Sequence, residues 1–128
     1  MADQQHTQPS DHVRLQLQGE DARAKWLSVR AHREFCVIAP DDSMAPALRT
    51  GDMLTFDTSL SPRDGDFVLV VDLIGQACVR EYRGKKAGGY MVRPLNRRYS
   101  ESTFHARRDR LAVLGILTAR AVGARSER

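Results

Sequence analysis

The sequence predicts a mainly β fold, built of small folded-over antiparallel sheets with one short helix near the N-terminus. Three observations predict it. From residue 34 onward, short runs suited to strands follow one another: EFCVIA (34–39), MLTFD (53–57), FVLVVDL (67–73), ACVREY (77–82), YMVRP (90–94) and LAVLGILTARAV (111–122). Turn-forming residues separate them, in APDDSMAP, RTGD, SPRDGD, Ile74-Gly75 and GKKAGG. No helix-length periodic segment lies between the runs, which argues against parallel strands joined by helical crossovers.

The elements follow in chain order. Residues 1–12, MADQQHTQPSDH, are polar and read as a flexible arm. They lack the basic and then apolar pattern of a secretory leader. Within residues 13–33, VRLQL (13–17) alternates apolar and polar and suits a short strand. Asp21 is placed to cap a helix over ARAKWLSVRAH, in which Trp26, Leu27 and Val29 sit at helical spacing. One helix is too few for a helix-turn-helix DNA reader. Residues 34–122 form the β-rich domain, and 123–128, GARSER, a mobile tail.

Bulk composition narrows the class. The 128 residues suffice for one compact domain. No apolar run approaches the roughly 20 residues that a membrane helix needs, and the protein is expected in the cytoplasm. The formal charge is +4, and 17 of the 20 basic residues are arginine. That excess is too mild to argue nucleic-acid binding by itself. Cys36 and Cys78 fall in apolar runs and are expected as buried free thiols. The four histidines are scattered, so neither a metal site nor a cofactor is expected.

Ser43 lies in DDSMAPAL, after one expected strand and before Gly51-Asp52. Taken alone, it suits the N-cap of a one-turn helix over Met44 to Leu48. Its surroundings add a second reading. Ser43-Met44, Gly51-Asp52, Gly65-Asp66, Val79-Arg80-Glu81, Leu95-Asn96-Tyr99 and Leu114-Gly115-Ile116 occur in that order across residues 34–122. This series resembles the C-terminal domain of the LexA/UmuD/phage-repressor family of self-cleaving peptidases. Type I signal peptidases share part of that core but carry a membrane anchor, which is not expected here. The resemblance implies a LexA/signal-peptidase-like fold of the β-clip type, a serine–lysine dyad, and assembly as a homodimer. In such a dyad a neutral, desolvated lysine amine takes the proton of the serine hydroxyl.

The resemblance places Ser43 as nucleophile, supported by Met44, Asp41 and Asp42. It places Arg80 where the lysine belongs. A guanidinium stays protonated and has no lone pair to accept a proton, so Arg80 is no general base. Lys25, Lys85 and Lys86 lie elsewhere, and Glu81 belongs on the opposite strand face from Arg80. Two further departures agree. The family's small-residue–Gly cleavage bond has no counterpart in Thr7–Asp11, and Asp41 stands where a glycine usually precedes Asp-Ser-Met. The expected role of Arg80 is an ion pair with Asp41 or Asp42 that closes the cleft. The sharper alternative is a cleft that binds a carboxylate or peptide terminus without cutting.

RRYSESTFHARRDR (97–110) contains five arginines. It reads as a solvated loop. A nucleic-acid patch of Arg97, Arg98, Tyr99, Phe104, Arg107 and Arg108 is the alternative. The function expected overall is a non-cleaving, dimeric regulatory or accessory module of a DNA-damage or prophage response. Candidate partners are a LexA-type or phage repressor, a recombinase filament or a lesion-bypass polymerase. The alternatives are an active Ser43-dependent peptidase with an unusual base, and a basic single-strand-binding accessory.

Overall fold

The computed structural model describes residues 12–13, 20–86, 89–99 and 112–123. Among these residues seven strands form one sheet: β1 (His12–Val13), β2 (Glu34–Ile38), β3 (Met53–Asp57), β4 (Phe67–Val71), β5 (Ala77–Lys86), β6 (Gly89–Arg93) and β7 (Ala112–Ala121), in the order β1-β2-β3-β7-β4-β5-β6. All pairings are antiparallel except β1 with β2. The mainly β, folded-over antiparallel fold expected from the runs is therefore present. Of the VRLQL strand, Val13 is in β1 and 14–17 lie outside the described residues; of the expected flexible arm at 1–12, His12 is instead paired in β1 and 1–11 lie outside the described residues, as does the tail at 123–128 apart from Gly123. Among the described residues no helix is long and apolar enough to cross a membrane.

The helix α1 (Glu20–Leu27) continues into a 3-10 turn at Ser28–Ala31. It begins one residue ahead of Asp21, which therefore lies in the first turn and not at the cap. Ala22, Trp26 and Val29 recur on one face and are buried, which gives the segment its packing stripe. Arg23 donates to the Val71 and Asp72 carbonyls, fixing the helix to the end of β4.

Hydrophobic clusters occupy both faces of the sheet. Leu69 and Val71 join Trp26, Phe35, Leu54, Phe56, Met44 and Leu114 in the larger one, while Val68 and Val70 join Tyr82, Val92 and Ile116 in the smaller. Alternation along β4 sends successive residues to opposite faces, so a strand buried on both sides needs a continuous apolar run. FVLVV supplies it.

The last strand, β7, lies between β3 and β4 and joins the two halves of the sheet. Register shifts at Thr55/Phe56 and Leu69/Val70 interrupt its two ladders and bend it. Gly115 sits at the junction. A Cβ there would lie 3.1 Å from Phe56 Cβ and 3.2 Å from the Asp57 carbonyl oxygen. Gly115→Ala is expected to destabilise the fold by about 1–3 kcal/mol through overpacking, measured by urea denaturation.

Candidate functional site

The loop between β2 and β3 carries the serine. Its two ends are tied by Ala39 N–H to the Asp52 carbonyl (2.9 Å) and Gly51 N–H to the Ala39 carbonyl (2.8 Å). Gly51 adopts φ 91°, a left-handed conformation that favours glycine. Inside the loop, Ala45 N–H bonds the Asp42 carbonyl and Leu48 N–H bonds the Met44 carbonyl, each at 3.0 Å. Met44 and Leu48 are sunk into the larger core and anchor the loop. Residues 43–47 form turns, and Ser43 does not cap a helix. Its side chain faces inward, with the residue only 3% exposed.

Arg80 on β5 meets it. Its Nη1 donates to Ser43 Oγ at 3.1 Å and to the Val79 carbonyl at 2.7 Å. The residues singled out as nucleophile and lysine position, 37 apart in sequence, are thus in direct contact. The expected ion pair is absent: among the described residues no carboxylate lies within ion-pair distance of Arg80. Both candidate acids are engaged elsewhere. Asp41 Oδ1 accepts the Ser43 N–H at 3.0 Å. Asp42 Oδ1 accepts the Tyr99 hydroxyl at 3.0 Å. Arg80 Nε is buried without a hydrogen-bond partner.

A segment after β6 completes the site. Asn96 donates from its main chain to the Ser43 carbonyl and from Nδ2 to the Asp42 carbonyl, both at 2.9 Å. The hydrogen bond to Asp42 is the main reason that the Tyr99 phenol sits above its ordinary pKa. Tyr99 therefore ties the serine loop to the segment after β6. Arg97 and Arg98 are exposed, while Phe104, Arg107 and Arg108 lie outside the described residues. The signal for this tie was present as Leu95-Asn96-Tyr99, without any indication of what it would hold.

Among the described residues, the other titratable groups near the site are engaged or set apart. Glu81 is bound by Arg93 Nε at 2.8 Å, with Arg83 at 3.8 Å. Among the described residues no lysine lines the cleft. Cys36 and Cys78 are free but half-buried, less enclosed than expected. Cys78 borders the cleft, and burial pushes its thiol up, against thiolate formation. The cleft encloses a cavity of about 20 Å³ and is partly open to solvent. Ser43 and Asp41 are its polar side chains, and Met44, Leu48, Leu54, Ala77 and Val79 form much of the wall. Among the described residues no histidine, cysteine and carboxylate cluster suits a metal.

Chemically, the arrangement holds a buried hydroxyl against a permanent cation. Among the described residues, the one side chain bonded to the hydroxyl is a donor, and a carboxylate is placed on the serine N–H. A family model described as Peptidase S24-like matches residues 5–118 of the chain. No curated protein matches it.

Proposed function

The chain belongs to the Peptidase S24-like family, and from that premise we propose that it is a member without a general base, serving as a non-cleaving regulatory or accessory module. It assembles through this β domain as a homodimer or with a cleavable relative such as a LexA-type or phage repressor. Its setting is a cytoplasmic DNA-damage or prophage response, where a recombinase filament and a lesion-bypass polymerase are further candidate partners.

The observation that carries this reading is the 3.1 Å contact from Arg80 Nη1 to Ser43 Oγ. A lysine amine at that distance alternates between donor and acceptor as it loses and regains a proton. A guanidinium only donates, because its pKa lies above about 12. The Asp41 contact supports the same conclusion. In acyl transfer, main-chain N–H groups near the nucleophile stabilise the developing oxyanion. Here the Ser43 N–H is held by Asp41 Oδ1, which brings negative charge to the place where an oxyanion needs donors.

The test is a tagged pull-down from damaged and undamaged cells, with mass spectrometry of the partners and intact mass of the bait. The bait is expected at full length in both, alongside a repressor, recombinase or polymerase. The purified chain is also expected to stay intact at about pH 10, where a lysine base would be largely deprotonated. A bait shortened upstream of Ser43, with the shortening abolished by Ser43→Ala, would overturn the reading.

A further inference from the structure

The edge of β5 beside Ser43 presents a set of hydrogen-bond donors that has no match among the described residues. Main-chain bonds from Tyr82 N–H to the Asp66 carbonyl (2.7 Å) and from Gly65 N–H to the Tyr82 carbonyl (2.8 Å) turn Tyr82 toward β4. Because the β4–β5 register is unbroken from Phe67↔Glu81 to Val71↔Ala77, alternation turns Val79 and Ala77 to the opposite edge. On that edge β6 pairs only from Glu81↔Arg93 toward the hairpin, and Pro94, which has no N–H, follows Arg93. Among the described residues no strand covers the edge at Ala77–Arg80. Ala77 and Val79 also line the cleft that holds Ser43.

Arg80 changes what this edge offers. A strand adding to an edge needs alternating donors and acceptors. The Val79 carbonyl is taken by Arg80 Nη1, which leaves the Val79 N–H as a lone donor. Ser43 Oγ already accepts from Arg80, so its own hydrogen is free to donate. The guanidinium has no carboxylate partner among the described residues, and the nearest acid on the cleft wall, Asp41, spends Oδ1 on the Ser43 N–H. Donors from the Arg80 guanidinium, the Ser43 hydroxyl and the Val79 N–H therefore meet beside the cleft, with Asp41 the acid on its wall. Further along the edge, Ala77 keeps both its N–H and its carbonyl, the complement of a peptide unit, beside the apolar wall of Met44, Leu48 and Leu54.

We propose that the cleft receives the free C-terminal carboxylate of an extended peptide, held by Arg80, Ser43 and the Val79 N–H, with the preceding residue paired to Ala77. The site rests on the non-cleaving reading, since the residue that removes the base is the one that supplies the charge. Charge-assisted bonds to carboxylate are stronger than neutral ones and favour arginine.

The test titrates the ¹⁵N-labelled full chain with acetyl-Leu-Ala-Ala as the free acid, with the same peptide as its C-terminal amide, and with acetate. The acid is expected to bind at least about tenfold more tightly than the amide, a margin typical of one charge-assisted contact, and to shift the Ala77, Val79 and Ser43 amide signals. Arg80→Gln is expected to bring the acid down to the level of the amide. Acetate at the same concentration should leave Ala77 unmoved. Equal binding of acid and amide, no binding of either, or reproduction of the whole pattern by acetate would each overturn the proposal, and the acid–amide comparison needs no variant to fold. Intact masses of chain and peptide in the same samples separate the two readings. A cut or an acylated Ser43 would sink the non-cleaving function while leaving acid selectivity in place. Lost selectivity with intact masses would sink the carboxylate site alone.

Discussion

The double variant Asp41→Gly/Arg80→Lys is expected to become reactive at Ser43, being phosphonylated by a fluorophosphonate probe, with loss of fluoride, at least about 10⁴-fold faster than the parent chain. The magnitude follows from the two missing functions. A positioned general base contributes about 10²–10⁴, and one oxyanion donor about 10²–10³. Lysine at position 80 starts from a strand already registered so that its side chain reaches Ser43 Oγ. Partial burial lowers its pKa, so labelling should rise with pH and level off below the ordinary lysine value of about 10.4. Removing Asp41 releases the Ser43 N–H from its carboxylate partner. Arg80→Lys alone should recover only the base, at about 10²–10⁴, and Asp41→Gly alone should stay near background because position 80 still offers the hydroxyl only a donor. Mass spectrometry of the adduct, with Ser43→Ala as the blank, reads all three. If the single Arg80→Lys variant labels as fast as the double, Asp41 does not obstruct the oxyanion position. If the folded double variant does not label at all, the loop has lost more than these two groups.

Much of the fold was legible because strands announce themselves locally. All six expected runs from residue 34 onward are strands, with ends displaced by a few residues. The largest displacement is in β5, which continues to Lys86 where a turn was expected from Gly84. Gly84 takes φ 93° within the strand, at the register shift between Tyr82 and Lys85. A glycine that bends a strand and one that ends it look alike in sequence. Pairing order was not legible, since periodicity says nothing about which strands meet. The central place of β7 depends on ladders to residues some sixty positions away, such as Thr55↔Ala119. The site divides the same way. Ser43 and Arg80 were found through a series of motifs, but the partner of Arg80 was misjudged. Two acids adjacent in sequence suggested an ion pair, yet in the folded loop Asp41 turns back on Ser43 N–H and Asp42 turns out to Tyr99. Those directions are set by the turn at 42–48 and by Asn96, neither of which composition reveals.

Asp52→Asn is expected to lower stability by about 2–4 kcal/mol, the cost of breaking a buried, charge-assisted hydrogen-bond cluster. For a chain of this size that is a fall in Tm on the order of 10 °C. Asp52 is fully buried at the end of the serine loop. Its carboxylate accepts Arg49 N–H at 2.8 Å, Arg120 Nη1 at 3.1 Å and Gly123 N–H at 3.3 Å. Burial alone would raise its pKa, but these donors outweigh it and hold the carboxyl below the usual range. Asp57 is lowered as well, chiefly by the Ser59 hydroxyl and N–H. A depressed folded pKa stabilises the protein fully above the unfolded value of about 3.9, and the contribution disappears as pH falls through the folded value. The parent should therefore lose stability on acidification below about pH 4, and the gap between parent and Asp52→Asn should narrow in that window. An asparagine keeps the shape and one acceptor, but its amide hydrogens meet donors where the second carboxylate oxygen stood. The same residue closes the loop through its main chain to Ala39, so loosening it should also speed hydrogen exchange at Gly51 N–H, which bonds the Ala39 carbonyl. Thermal melts at pH 7 and pH 3.5 with exchange at Gly51 test both parts. A variant that melts with the parent at pH 7 would show that the buried cluster does not hold the fold. A destabilised variant with unchanged Gly51 exchange would show that the serine loop is held by Met44 and Leu48 in the core and not by this carboxylate.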